Sequence, residues 1–141
     1  MGRNLSENPF HGILKEYEHW VVMFRDKQVT PGSAIIMEKT LQARSLGDVS
    51  AEAWAEFGTV TKELETWLKA AFNAEKFNYL ALMMYDPEVH FHVIPRYSKP
   101  VLVNGIVYKD VDWPDATLRK PMPLSDDEKE VLKAKMMEHV S

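Results

Sequence analysis

Cysteine is absent from the 141-residue chain, which excludes disulfides, thiolate metal sites and cysteine nucleophiles. Long apolar runs are absent too. Nothing approaches the roughly 18 residues of a membrane-spanning helix, and Met1-Gly2-Arg3-Asn4-Leu5 carries no signal-peptide core. A cytoplasmic protein with no membrane contact is the expectation. Excess positive charge is also lacking: 17 Lys and Arg stand against 21 Asp and Glu, a formal net charge of −4. That balance is opposite to what neutralising duplex phosphates requires, so duplex nucleic acid is not an expected partner. A small anionic ligand stays compatible, since one pocket can be positive on an acidic protein. No repeat, low-complexity tract or long linker divides the sequence, and a single domain over residues 1–141 is expected.

What is present reads as a mixture of strands and helices. His19-Trp20-Val21-Val22-Met23-Phe24 is rich in branched and aromatic residues and predicts a strand. Thr30-Pro31-Gly32 marks a turn, and Ser33 to Glu38 predicts the returning strand of a hairpin. Ser50 is an N-cap signal. Beyond it Trp54, Phe57, Thr61, Leu64, Leu68 and Phe72 recur at spacings of three and four, predicting one amphipathic helix that ends near Asn73. Phe77 to Tyr85 is short and almost continuously apolar, the pattern of a central strand buried on both faces. Asp86-Pro87 ends it, because proline has no N–H to continue a ladder.

Val89 to Ile94 predicts another strand. Asn104-Gly105 between two apolar runs predicts a type I′ hairpin. Ser125-Asp126-Asp127-Glu128 has capping-box spacing ahead of a last helix with Val131, Leu132 and Met136 on its apolar face. Without regular βαβ alternation, the fold class is α+β, with a central antiparallel sheet, one long helix and a C-terminal helix.

The chemistry concentrates in Glu88-Val89-His90-Phe91-His92. Side chains alternate along a strand, so Val89, Phe91 and Val93 share one face while Glu88, His90 and His92 share the other, about 7 Å between neighbours. The apolar set belongs to the core, and the imidazoles therefore face a groove or solvent. Such a pair can ligate a metal together with Glu88, act as a nucleophile with a helper, or have no chemical role. Val93 to Lys99 add neither an acid nor a histidine for a metal centre to draw on. His19 reads as structural, and His11 and His139 as exposed residues near the chain ends.

His90-Phe91-His92-Val93-Ile94-Pro95-Arg96 resembles the signature of the histidine triad (HIT) nucleotide hydrolases and transferases, His-φ-His-φ-His-φ-φ, in the form closed by Pro-Arg. Pro31 to Ile36 is similar to the family's strand after its Pro-Gly turn, and the long helix and two following strands keep the family's order. The likeness covers residues 8–97, leaving 98–141 as a C-terminal extension with a hairpin and a helix.

This resemblance implies a HIT-like fold, a homodimer using the long helix and sheet edges, and hydrolysis or transfer at the α-phosphate of a nucleoside phosphate. Dinucleoside polyphosphates and nucleoside phosphoramidates are the implied substrates. His90 is then the nucleophile that forms a covalent nucleotidyl-histidine, with its ring proton held by the backbone carbonyl of the first triad position, here Glu88. His92 is the donor to the phosphate or the leaving oxygen. Ser33 stands where the family often has a histidine after Pro-Gly, and Arg25 or Asp26 falls at the ribose contact. Phe10, Ile13 and Leu14 lie where apolar walls surround the base, and Arg96 either attracts phosphate or pairs with a carboxylate. No cofactor is required, although magnesium would accompany a polyphosphate.

Three departures separate the chain from the family pattern. Glu88 replaces the first histidine, Ser33 replaces another, and the glycine- and glutamine-containing loop before the motif is cut to Tyr85-Asp86-Pro87. They motivate a second reading, a nucleotide-binding protein with little or no catalysis. A metal-binding protein using Glu88, His90 and His92 is the third.

Overall fold

The computed structural model describes residues 12–116 and 121–140. Strands β1 (Ile13–Glu16), β2 (Trp20–Phe24), β3 (Ala34–Glu38), β4 (Lys76–Leu80) and β5 (His90–Arg96) form an antiparallel sheet in the order β1-β2-β3-β5-β4. Helix α1 (Ala51–Phe72) connects β3 to β4. Strands β6 (Val101–Val103) and β7 (Ile106–Tyr108) pair in a separate hairpin, and α2 (Asp126–Met137) follows. No helix among the described residues is long and apolar enough to cross a membrane.

Local chemistry sets the element ends. The Ser50 hydroxyl accepts from the Ala53 N–H at 3.1 Å at the start of α1, and Asn73 closes it in the left-handed region at φ 61°. Asn104 and Gly105 turn the β6–β7 hairpin at φ 50° and 81°. Ser125 and Glu128 exchange capping-box bonds of 3.1 Å each at the start of α2.

The segment from Phe77 to Tyr85 departs from expectation. Its strand stops at Leu80, lies at the edge of the sheet and is half-buried. Phe77 and Tyr79 meet the core, whereas Asn78 between them binds Arg96, so the strand alternates instead of being apolar on both faces. Beyond Leu80 the chain is irregular, with Met83 at φ 46°, and Leu82, Met84 and Tyr85 are exposed. Strand β1 has no counterpart in the sequence-based expectation.

Helix α1 covers one face of the sheet. There Trp20, Val22, Phe24, Ile36, Phe91 and Val93 join Val60, Leu64, Leu68 and Phe72 in one buried cluster. The Phe91 ring lies 4.8 Å from Phe57, 6.1 Å from Trp20 and 6.3 Å from Trp54, centroid to centroid. The opposite face carries a smaller apolar cluster of Val21, Met23, Ile35 and Met37. Val101, Val103, Tyr108, Leu132 and Met136 from the C-terminal extension are buried in the larger cluster.

Gly32 marks the tightest approach. At φ +91° its added Cβ would come within 2.6 Å of Leu68 Cδ2 and 3.1 Å of the Phe72 ring. Gly32→Ala is expected to destabilise the fold by about 2–4 kcal/mol, combining a positive-φ penalty with overpacking. Urea denaturation checks this, and an unchanged midpoint would contradict the close seat of the turn on α1.

Candidate active site

Strand β5 turns Phe91 and Val93 toward α1 and leaves His90 and His92 on the other face, in register with Met37 and Ile35 of β3. His90 is almost fully buried, and its Nδ1 lies 2.7 Å from the Glu88 carbonyl oxygen. A carbonyl only accepts, so Nδ1 carries a ring proton, and in the neutral ring Nε2 holds the lone pair. The two imidazoles meet edge to face, with centroids 4.9 Å apart.

Burial pushes the His92 pKa down to about 4; the Arg25 charge and His90 add to that shift, while Asp86 opposes it. His92 is therefore neutral near pH 7. Among the described residues its buried Nδ1 has no hydrogen-bond partner. That environment favours the tautomer with the proton on Nε2, because an orphaned N–H is the costlier defect.

A cavity of about 740 Å³ opens beside the pair. Arg25, Asp26 and Lys27 line it from the turn after β2, and Leu82, Met84, Tyr85 and Asp86 line it from the loop after β4. The turn is organised by the fully buried Gln28. Its side-chain oxygen accepts from the N–H groups of Gly32 (2.8 Å) and Ser33 (3.1 Å), while its NH2 donates to the carbonyls of Ser33 (2.7 Å) and Arg25. Arg25 is half-buried, and burial lowers its guanidinium pKa. Among the described residues that guanidinium has no hydrogen-bond or ion-pair partner. Asp26, in contrast, lies 3.2 Å from the Lys129 ammonium of α2.

The other residues singled out from sequence lie elsewhere. Ser33 is fully buried, and its hydroxyl is used inside the turn: it accepts from the Val29 and Thr30 N–H groups at 3.1 Å each and donates to the Thr30 carbonyl at 2.8 Å. Glu88 contributes its carbonyl, while its side chain is buried outside the cavity lining. Among the described residues no three His, Asp or Glu side chains gather as a metal site, so Glu88, His90 and His92 are not assembled into one.

Arg96 is buried and occupied. Its Nε donates to Asp110 at 2.7 Å, and its terminal nitrogens donate to Asn78 (2.8 Å), Asp110 (3.1 Å) and the Asp115 carbonyl (2.6 Å). Its guanidinium joins β4 and β5 to the extension instead of lining the cavity. Leu14 belongs to the core on the α1 side, Ile13 is exposed on β1, and Phe10 lies outside the described residues.

Lys27, Leu82, Met84, Tyr85 and Asp86 carry no sequence signal that marks them as lining residues. Asp86-Pro87 signals the end of an element, but the apolar residues before it are indistinguishable from strand by pattern.

The HIT domain family profile matches residues 7–99. Among solved structures, a hypothetical histidine triad nucleotide-binding protein of Sulfolobus tokodaii strain 7 is 16% identical over 91% of this chain and 82% of that one, TM-score 0.69. A histidine triad protein of Sinorhizobium meliloti 1021 is 20% identical over 90% and 87%, TM-score 0.67. One from Marinobacter aquaeolei VT8 is 20% identical over 92% and 90%, TM-score 0.67. At these identities they show a shared fold. No curated protein matches the chain.

The depressed His92 pKa has a measurable sign. Between about 4 and the ordinary 6.5 the unfolded chain binds a proton at this position that the folded chain does not. That contribution to stability is present above pH 6.5 and lost as pH falls toward 4. The His92 ring signals in NMR should titrate with a midpoint near 4, and His92→Gln should flatten the decline of the urea midpoint between pH 6.5 and 4. A midpoint near 6.5 would contradict the desolvated setting.

Proposed function

Since the chain belongs to the HIT domain family, we propose that it is a nucleotide hydrolase or nucleotidyl transferase acting at the α-phosphate of a nucleoside phosphate, such as a dinucleoside polyphosphate or nucleoside phosphoramidate. The observation that carries this reading is the 2.7 Å contact between His90 Nδ1 and the Glu88 carbonyl. A carbonyl acceptor at Nδ1 is what the neutral tautomer with a nucleophilic Nε2 requires. The cavity of about 740 Å³ is of nucleotide size.

His90 Nε2 attacks the α-phosphorus as the bond to the leaving group breaks, giving a nucleotidyl-His90. Water or a second acceptor then attacks the same phosphorus, releases the nucleoside monophosphate or transfers it, and restores the imidazole. His92, neutral throughout, donates its Nε2–H to a phosphoryl or leaving oxygen as charge develops there. Replacement of the first triad histidine by Glu88 leaves this chemistry intact, because a backbone carbonyl orients His90. Leu82, Met84 and Tyr85 offer an apolar wall to the base. No step draws on a protein-bound metal; magnesium would enter with a polyphosphate substrate. The reading extends to a homodimer that uses α1 and the sheet edges, β1 and β4.

A second reading, nucleotide binding with little turnover, is favoured by one observation. The Ser33 hydroxyl is consumed within its turn, so that position adds no donor to the cavity. Intact-protein mass spectrometry after brief mixing with adenosine 5′-phosphoramidate or a diadenosine polyphosphate separates the two. Catalysis through His90 gives a transient adduct of nucleoside-monophosphate mass. His90→Ala abolishes that adduct and lowers turnover by at least about a thousandfold. Nucleotide binding with neither adduct nor product would select the binding reading.

A further inference from the structure

The cavity has an electrostatic feature that the reaction at His90 leaves unused. On β2 the side chains facing the histidine side are Val21 and Met23, which pair through Met37 and Ile35 of β3 with His90 and His92 respectively. Arg25 continues that series by two residues. It therefore stands one step of about 7 Å beyond the His92 row and two steps beyond the His90 row. β3 separates β2 from β5, a gap of roughly 10 Å that an extended arginine side chain largely spans. The guanidinium thus approaches the cavity from the side of His92 away from His90, and Arg25 accordingly disfavours a proton on His92.

Arg25 is a cation partly withdrawn from water with no carboxylate beside it among the described residues. Such a group loses hydration without compensation unless an anion joins it. Lys27 lines the cavity from the same turn. Of the two acids at the cavity, Asp26 is paired with Lys129, and Asp86 faces His92 from the opposite loop. Both imidazoles are spoken for: His90 by the attack, and His92, uncharged, by the phosphoryl oxygens. A single α-phosphate leaves the guanidinium unsatisfied, whereas a neighbouring phosphate would engage it through two parallel N–H···O bonds.

Resting on the reading of His90 as nucleophile, we propose that Arg25 binds the phosphate adjacent to the one attacked. The site thereby prefers substrates with two or more linked phosphates over phosphoramidates. In that step the His90 Nε2–phosphorus bond forms and the bridging P–O bond breaks, its electron pair staying with the departing phosphate. The leaving phosphate gains one negative charge beside Arg25, which offsets it where it develops. An amine leaving group takes up a proton from solvent as the P–N bond breaks and departs neutral, with no such charge for Arg25 to meet.

The measurement is kcat/KM for diadenosine tetraphosphate relative to adenosine 5′-phosphoramidate, in wild type, Arg25→Gln and Arg25→Lys. Arg25→Gln should reduce that ratio by about ten- to a hundredfold, the loss typical of a charge-assisted pair, and Arg25→Lys should restore part of it. An unchanged ratio in Arg25→Gln overturns the proposal. Calorimetric binding of ADP and AMP to the same proteins gives an arm independent of chemistry. Arg25→Gln should lower the ADP-to-AMP affinity ratio, whereas equal affinities in wild type overturn the assignment of Arg25. If wild type turns over neither substrate while the affinity ratio responds to Arg25→Gln, the nucleophile reading fails and the phosphate assignment stands.

Discussion

The ring of Phe91 occupies a space bounded by Phe57, Trp20 and Trp54, and the site depends on its staying there. Trp20 is fixed by its indole N–H, which donates to the Ala53 carbonyl at 2.7 Å and ties β2 to the first turn of α1. Because neighbours along a strand face opposite ways, seating Phe91 against α1 forces His90 and His92 onto the other face. A slip of one residue would expose the phenyl ring, at about 2–3 kcal/mol. It would also bury two imidazoles among aromatic rings without partners, at roughly 1–3 kcal/mol each. The register of the histidine face is thus held by packing on the opposite face.

Backbone groups set the finer geometry. His90 is oriented by a carbonyl that any residue at position 88 would supply, provided the chain before β5 keeps its course. Two bonds hold that course: the Val89 N–H donates to the Ala43 carbonyl at 2.9 Å, and the Val89 carbonyl accepts from the Glu38 N–H at 3.0 Å. The Arg25–Ser33 turn is likewise held by the Gln28 amide, which satisfies four backbone groups at once. A glutamine buried in this way rigidifies a loop that would otherwise carry unpaired backbone N–H and C=O groups.

Features decided by neighbours in sequence are legible in the residues themselves. Ser50 and Asn73 bound α1, Asn104-Gly105 turns the hairpin, and Ser125 with Glu128 caps α2, since each signal acts within a few residues. The alternation around Phe91 is legible for the same reason. What escapes is set at long range. Arg96 finds Asp110 and Asp115 in the extension, and Ser33 turns its hydroxyl to Val29 and Thr30 because Gln28 shapes the loop around it. Neither choice leaves a periodic mark. Nor does the edge position of β4: an apolar run such as Phe77 to Tyr85 looks the same whether it is a buried strand or a strand that stops at Leu80 and continues as a cavity wall.

The distribution of charge in the cavity follows from the same burial that fixes the register. With the pKa of His92 near 4, an anion entering the cavity would meet a neutral imidazole there at pH 7, a hydrogen-bond donor without Coulombic attraction. Arg25 contributes to that neutrality, so the two groups divide what a protonated histidine would do alone: one donates, the other carries the charge. A guanidinium suits the second task, because arginine keeps its proton in proteins, whereas burial pushes the His92 pKa down to about 4. The division also spares the His90 imidazole a cationic ring 4.9 Å away. With the positive charge on Arg25, in the turn after β2, the cavity still presents a fixed cation to an anion entering it.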